Sequence, residues 1–410
     1  MPPLRLLFLN RSYWPDAEAT GQLLTDLCED LAEAGLQPSV LAGMPNHVAG
    51  ETEPVTAGIS RHNGVDILRV RHTQFGKHSF WGRITNLLTF TWAALFRSLW
   101  LPFRPDVVIT ETDPFFLPLV GRILKWRYGC KFVAYLQDIY PDIAVAVGKV
   151  REGWITRLIR WALVGAYRQA DKVIVLSCDM RNLCIRNGVP AEKIVVLPNW
   201  IDTSAIQPRT GNSNPFREEQ QCTDKFVVMY SGNMGVGHLL EPIIEAAEQL
   251  QNRTDVLFLM IGEGQQKAVL KQQAQASGLA NIRFLPYQPR ESLTHSLSGA
   301  DCHLISMRPE VVECLMPSKL YGVLAAGVPS IVLAPAACEL SQIVEQEQLG
   351  IVCATDDTTP LGQRIAAAIL KLVGDRDFHS AAGSRAREIA VRDYDRQQVT
   401  AKYRDLLENT

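Results

Sequence analysis

The sequence predicts an α/β protein built from two doubly wound parallel sheets, and three observations carry that prediction. Short apolar runs without polar alternation recur along the chain, as strands covered on both faces require. Most are followed by a longer segment with apolar residues at helical spacing, which is the signature of strand–helix–strand units. The pattern breaks once, at the polar stretch QPRTGNSNPFREEQQCTDK (207–225), and then restarts. With 410 residues and 47% hydrophobic content, the chain can bury more than one such core.

LRLLFLN (4–10) reads as the first buried strand. GQLLTDLCEDLAEAGL (21–36) is a helix with Leu23, Leu24, Leu27, Leu31 and Ala34 on one face and Gly35 ending it. PSVLAG (38–43), PDVVITE (105–111), KFVAYLQD (131–138) and DKVIVLS (171–177) are the strands that follow, separated by helices. After the polar stretch, FVVMYSGNMG (226–235) is a strand running into a glycine-containing loop. LLEPIIEAAEQL is a helix, and VLFLMIGEG, NIRFLPY, ADCHLIS and SIVLA supply further strands. The predicted domains are 1–205 and 206–380, with a final helical segment near 380–410 packing back on the first.

The net charge of −2 gives no sign of nucleic-acid binding, although the first 200 residues are mildly basic and the remainder acidic. Nine cysteines are scattered without a C-x-x-C pair or a nearby histidine pair. That argues against a zinc site or a disulfide framework and fits a reducing cytoplasm. The apolar run at the N-terminus is too short for a signal peptide, and no run reaches the ~20 residues of a membrane span. FWGRITNLLTFTWAALFRSLWLPFRPD (80–106) is unusual. It interleaves Phe80, Trp81, Phe90, Trp92, Phe96, Trp100 and Phe103 with Arg83, Arg97 and Arg104. Such a segment reads as a large helix covering the sheet, with most of these residues in the core, or as a segment at a lipid surface, and one face in each satisfies both.

Candidate site residues cluster where strands end, the place at which open α/β sheets bind ligands. YSGNMGVGH (230–238) puts Gly232, Asn233, Gly235 and Gly237 after a strand and ahead of a helix, without the dinucleotide spacing G-x-G-x-x-G. IGEG (261–264) adds Glu263. SMRPEVVECLMPSK (306–319) gathers Arg308, Glu310, Glu313, Ser318 and Lys319 beyond the strand DCHLI. Ser318 reads as an N-cap, with Lys319 at the first helical position. A cation there opposes the helix dipole, and a bound anion would remove the conflict. In the first half Asp138 ends a strand, as an acceptor-hydroxyl partner or as a cap, and Gly21 lies in a small-residue turn opening the first long helix.

YSGNMG…H…EPIIEAA, IGEG, NIRFLPY, ADCHLIS, LQDIYPD, VVLPNWID and above all MPSKLYGVLAAGVPSIVL resemble family-4 glycosyltransferases of the GT-B fold. The likeness is greatest to bacterial polysaccharide-assembly members of the colanic-acid type. The resemblance implies two Rossmann-like domains facing a cleft, the first for the acceptor and the second for a nucleotide-sugar donor such as a UDP- or GDP-sugar. It implies a retaining, metal-independent and cofactor-free transfer to a lipid-linked or saccharide acceptor, with the enzyme cytoplasmic or peripheral on the cytoplasmic membrane face. It further implies that Lys319, Ser318, Arg308, Gly232, Asn233 and Gly21 serve the donor diphosphate. Glu310 would act at the donor sugar and Asp138 at the acceptor, while Tyr287, Glu263 and Glu313 would serve the nucleoside or sugar. The chain departs from the family pattern where two glutamates eight positions apart are usual: Cys314 and Gly322 stand there, so the ribose-binding carboxylate is missing from its seat. A sugar-nucleotide epimerase and a non-catalytic scaffold subunit are the alternatives on the same fold.

Overall fold

The computed structural model describes residues 3–16, 18–45, 55–76, 80–209 and 213–410. The chain forms two compact units. One holds Met1–Pro198, Glu313–Leu315 and Val399–Thr410; the other holds Asn199–Val312 and Met316–Gln398.

The first unit is an eight-stranded sheet. Its strands are β1 (Arg5–Leu9), β2 (Gln37–Gly43), β3 (Gly58–His62), β4 (Val65–Val70), β5 (Val107–Thr110), β6 (Lys131–Leu136), β7 (Lys172–Val175) and β8 (Ile194–Val196). Their order is β3-β4-β2-β1-β5-β6-β7-β8, parallel except for the antiparallel pair β3–β4. Leu6 through Leu9, Val40, Leu41 and Phe132 through Leu136 are buried, as two-sided strands must be. The helix Ala19–Glu33 starts close to the expected position and is followed by Gly35 at φ +89°. The hairpin β3–β4 was not predicted. It turns on Asn63 and Gly64, both at positive φ, as a two-residue hairpin loop requires.

The second unit is a six-stranded parallel sheet. It comprises β9 (Phe226–Ser231), β10 (Val256–Ile261), β11 (Ile282–Leu285), β12 (Cys302–Ser306), β13 (Ser330–Leu333) and β14 (Gly350–Val352). The order β11-β10-β9-β12-β13-β14 is that of a doubly wound dinucleotide-type sheet. Val228, Tyr230, Phe258, Met260 and Leu304 pack with Ile243, Ile365 and Ile369 from covering helices. Each fully buried apolar side chain of this kind contributes about 1.5–3 kcal/mol.

Two boundaries differ from expectation. The first unit ends at Pro198 rather than at 205. The final segment is divided: helix Arg376–Asp393 groups with the second unit, and only Val399–Thr410 groups with the first. Arg387 explains the former, donating to the carbonyls of Thr203, Ile206 and Ala325. Tyr403 explains the latter, with its ring 5.3 Å from that of Tyr135 and its hydroxyl 3.4 Å from Leu197 O. The polar stretch 207–225 carries a short helix, Pro215–Glu219, capped by Asn214; residues 210–212 of that stretch lie outside the described residues.

Helix Phe80–Leu99 has one buried and one exposed face, and fewer of its aromatics are in the core than a helix that only covers the sheet would need. Phe90 and Ala94 are in the core, while Trp81, Trp92, Phe96 and Trp100 are exposed. The side chain of Phe80 lies outside the described residues. Among the described residues no helix is long and apolar enough to cross a membrane.

Candidate active site

The second sheet reverses its winding between β9 and β12. The loops that leave those strands, 232–238 and 307–318, therefore stand where open α/β sheets form a crevice. Loop 232–238 is tied to loop 262–266: Met234 N–H donates to Glu263 O at 2.8 Å, and Gln266 N–H donates to Met234 O at 3.1 Å. Gly262 sits at φ +130°, and a Cβ there would overlap the Gly232 carbonyl. Gly232, at φ +135°, leaves open the space through which Lys319 passes; a Cβ on it would lie 2.7 Å from Lys319 Cε.

Lys319 Nζ lies 3.3 Å from His238 Nε2 and 4.7 Å above the centre of the Tyr230 ring. His238 Nδ1 lies 2.6 Å from Ser306 O, which can only accept. Nδ1 therefore carries the proton, and Nε2 presents its lone pair to the ammonium. The buried Ser306 hydroxyl fixes this arrangement, accepting from Leu239 N–H at 2.7 Å and donating to Leu239 O at 2.8 Å. Burial, reinforced by the Lys319 and Arg308 charges, pushes His238 down to about 4, so the imidazole is neutral. Burial pushes Lys319 from 10.5 down to about 7. The lysine is partly exposed, but its ammonium end is enclosed by His238 and Tyr230, and the enclosure of that end is what lowers the pKa. Lys319 forms no ion pair with a described residue. An enclosed ammonium without a counter-charge is costly, and a bound anion offsets that cost.

The remaining predicted residues of this unit divide by the partners they have. Arg308 is placed by its N–H on Gly237 O at 2.9 Å, and its guanidinium meets Glu241 at 3.2 Å. Asn233 is exposed, and its carbonyl accepts from the Tyr230 hydroxyl at 2.7 Å. Glu310 is exposed on the single turn 309–311. Glu263 pairs with Lys267 at 2.6 Å, and the same ammonium binds Gly262 O and Leu285 O, so this carboxylate helps tie its own loop. Tyr287 is 53% exposed beside Glu263.

One expectation is corrected, and two further residues have partners within the first unit. Ser318 precedes helix Lys319–Ala325 but is not a side-chain cap: it already has helical φ and ψ, and its hydroxyl makes no capping bond. Glu313 groups with the first unit, in a bidentate pair with Arg186 of helix Cys178–Arg186. Gly21 is buried against its own fold; a Cβ there would lie 3.1 Å from Ser12 Cβ, so its small size seats the helix on loop 10–16.

The first sheet also reverses, between β1 and β5, and the loops leaving those strands meet in a charged cluster that the sequence reading missed. Arg11 Nε lies 3.1 Å from Asp113 Oδ1, and the Ser12 hydroxyl reaches both Asp113 at 3.0 Å and Glu18 at 2.9 Å. Asp138 ends β6, with its N–H 3.4 Å from Thr112 Oγ1 and the next N–H, of Ile139, on Cys314 O at 2.9 Å. Burial, then the Asp113 charge, push Asp138 up to about 6. Glu111, behind Asp113, is fully buried with neither carboxyl oxygen bonded to a described residue, and burial pushes it well above the usual carboxylate range.

A cavity of about 510 Å³ opens at the amino ends of β9 and β12, lined by Asp224, Lys225, Asp301, Arg376 and His379. Asp301 is neutralised there by Arg217 and Asp224 by Lys225, and the loops described above lie at the opposite end of the sheet. Among the described residues no cluster of side chains could hold a metal ion.

Two doubly wound units with functional loops at their winding reversals define the chain as a GT-B protein. Residues 19–200 match the glycosyl transferase 4-like domain, and residues 213–389 match the glycosyl transferases group 1 domain. The chain is 26% identical over 409 residues, 98% of both sequences, to WcaI of Escherichia coli (strain K12), a glycosyl transferase assigned to colanic acid biosynthesis. It is also 26% identical over 263 residues to the glycosyltransferase WbjE of Pseudomonas aeruginosa, covering 64% of this chain and 66% of that one. Among solved structures, Anabaena HepE in complex with UDP-glucose matches with a TM-score of 0.72 at 17% identity, covering 99% of each chain. Sucrose-phosphate synthase from Thermosynechococcus elongatus matches with a TM-score of 0.76 at 17% identity, covering 99% of this chain and all of that one. The chain belongs to the family-4 glycosyltransferases, and it is a glycosyltransferase of polysaccharide biosynthesis.

Proposed function

We propose that the protein transfers a sugar from a nucleotide-sugar to a lipid-linked or saccharide acceptor, retaining the anomeric configuration. The enclosed Lys319 ammonium, with a neutral histidine and an aromatic ring for neighbours and no carboxylate, carries this reading. A diphosphate is the anion that fits: it supplies the missing charge and departs with it. In the step, the bond from the anomeric carbon to the diphosphate oxygen breaks. The acceptor oxygen bonds to the same face, and the acceptor proton passes to the departing phosphate oxygen. Lys319, with Arg308 and the Gly232–Asn233 backbone, stabilises the charge that develops on that leaving group, a task that in this reading needs no metal. Asp138 orients the acceptor hydroxyl, Glu310 contacts the donor sugar, and Tyr287 lies along the base. The complexes of HepE with UDP and UDP-glucose favour a uridine donor, with a GDP-sugar as the competitor. The relation to WcaI favours an acceptor in cell-surface polysaccharide assembly, worked on at the cytoplasmic side of the membrane.

The test is a calorimetric and hydrolysis panel of UDP-, GDP- and other sugar nucleotides. Saturable binding and slow donor hydrolysis with one nucleotide are expected. No binding by any member would refute the reading.

A further inference from the structure

Seven of the eight tryptophans are exposed, and six of them, Trp81, Trp92, Trp100, Trp126, Trp154 and Trp161, lie on or directly after three helices of the first unit. The helices are Phe80–Leu99, Leu117–Tyr128 and Trp154–Gln169. They follow β4, β5 and β6 in crossovers that step the same way across the sheet, from β4 to β5, β6 and β7. Right-handed crossovers therefore place all three on one face of the sheet. They also touch in sequence: the Tyr128 hydroxyl donates to Ser98 O at 2.9 Å, and Lys125 Nζ donates to Gln169 O at 3.0 Å. In each helix the core side is filled by small and aliphatic residues, Ala94, Val120 and Leu163 among them, while the tryptophans point away at helical spacing. Trp126 is 85% exposed and Trp161 74%, so the fold makes little use of them.

The helices of this face themselves carry charge of one sign. The three helices carry eight arginines and lysines and no aspartate or glutamate. Arg157 and Arg160 pair with Glu152, Arg160 also with Asp142, and Lys125 with Asp171; Arg83, Arg97, Arg122, Arg127 and Arg168 form no ion pair with a described residue. One-signed charge decides between occupants. A second copy of the chain would bring cation against cation, which self-complementary pairing disfavours. Tryptophans spaced singly among arginines match the boundary between water and acyl chains, where each indole keeps its N–H wet and each guanidinium meets a phosphate.

We propose that this three-helix face docks the protein on an anionic lipid bilayer. The inference extends the proposed use of a lipid-linked acceptor, since such an acceptor is confined to that surface. It is tested with the full chain by co-sedimentation with phosphatidylcholine vesicles, with and without phosphatidylglycerol. Binding is expected only with phosphatidylglycerol, falling with added salt, and accompanied by a blue shift of tryptophan emission. Arg122→Gln with Arg127→Gln should lower partitioning roughly thirtyfold, at about 1 kcal/mol per basic side chain near an anionic surface. Trp126→Ser with Trp161→Ser should lower both partitioning and the blue shift, with the melting temperature kept. Failure to bind anionic vesicles at low salt overturns the inference. So does equal binding to neutral vesicles, or self-association through these tryptophans with lipid excluded. Nucleotide-sugar binding is measured separately without vesicles. If it persists while vesicle binding fails, the membrane inference falls alone; if it is absent while vesicle binding succeeds, the donor reading falls alone.

Discussion

Replacing Lys319 by methionine should move stability and donor affinity in opposite directions. Methionine keeps most of the stem and removes the charge. In the empty protein the ammonium is held at about 7 instead of 10.5, and burial is the cause. A tenfold loss of proton affinity corresponds to about 1.4 kcal/mol, so the enclosed charge costs the folded state on the order of 4 kcal/mol near pH 7, and less to the extent that water reaches the stem. A lysine with a lowered pKa imposes its full cost below about pH 7. Between about 7 and 10.5 the unfolded chain binds more protons, so the cost fades with rising pH. Lys319→Met should therefore be more stable than the parent without ligand, most clearly at pH 7 or below. Its affinity for a nucleoside diphosphate should fall roughly tenfold to hundredfold, the worth of a charge-assisted contact of about 1.5–3 kcal/mol. Denaturant melts and calorimetry on the same preparations measure both. Calorimetry of the parent with an intact nucleotide-sugar, whose phosphates do not titrate near neutrality, should show proton uptake above pH 7 and affinity that declines as pH rises. A variant that binds the diphosphate as tightly as the parent, or that is merely destabilised, would show that Lys319 is a surface lysine with no donor role.

Asp138→Asn should leave donor binding within about twofold while lowering transfer, and the parent's transfer rate should rise through about pH 6 as the carboxylate ionises; a flat profile and unchanged turnover would make Asp138 structural. Glu111→Gln should stabilise the protein increasingly as pH rises above about 4.5. The raised carboxyl stays protonated when folded and ionises when unfolded, at up to about 1.4 kcal/mol per pH unit, so a variant no more stable at pH 8 than at pH 5 relative to the parent would refute its burial as a neutral acid. The 2′-deoxy form of the donor nucleotide should bind within about fivefold of the ribose form, a difference near 1 kcal/mol, and a hundredfold loss in calorimetry would reveal a ribose partner elsewhere.

The sheets were legible because buried parallel strands are written as continuous apolar runs, and the strand ends named most of the second unit's loops. Lys319 was legible as a misplaced cation at a helix start. Its reason for being there was not, because neither the neutral tautomer of His238 nor the clamp of Ser306 has a signature in the chain. His238 stood within the quoted loop and passed as a loop residue. Arg11 and Glu18 share one loop, but Asp113 is 102 residues from Arg11, and only the winding reversal of the first sheet brings the two loops together. The hairpin β3–β4 did have a signal in its Asn63–Gly64 turn, which was passed over because the flanking residues alternate weakly. Sequence adjacency grouped Glu313 with Lys319, whereas its pair with Arg186 groups it with the first unit, a contact across more than a hundred residues that adjacency does not show.

Gly322 shows how a departure from a family pattern becomes a physical statement. The sequence says only that a carboxylate is absent and suggests an open space in its stead. The structure gives the space an occupant: a Cβ at 322 would lie 3.2 Å from Leu297 Cδ1, tighter than ordinary contact. A glutamate placed there would have to displace an aliphatic side chain and stand its own charge beside it, which burial penalises unless two hydroxyls arrive to satisfy it. The position is thus neither empty nor poised for a carboxylate. It is already packed against Leu297, which the glycine admits. In the proposed reading, recognition rests instead on the first residue of the helix. There the enclosed ammonium of Lys319 gains most from a diphosphate and nothing from a ribose, so the charge of the leaving group, more than the identity of the nucleoside, should set the strength of donor binding.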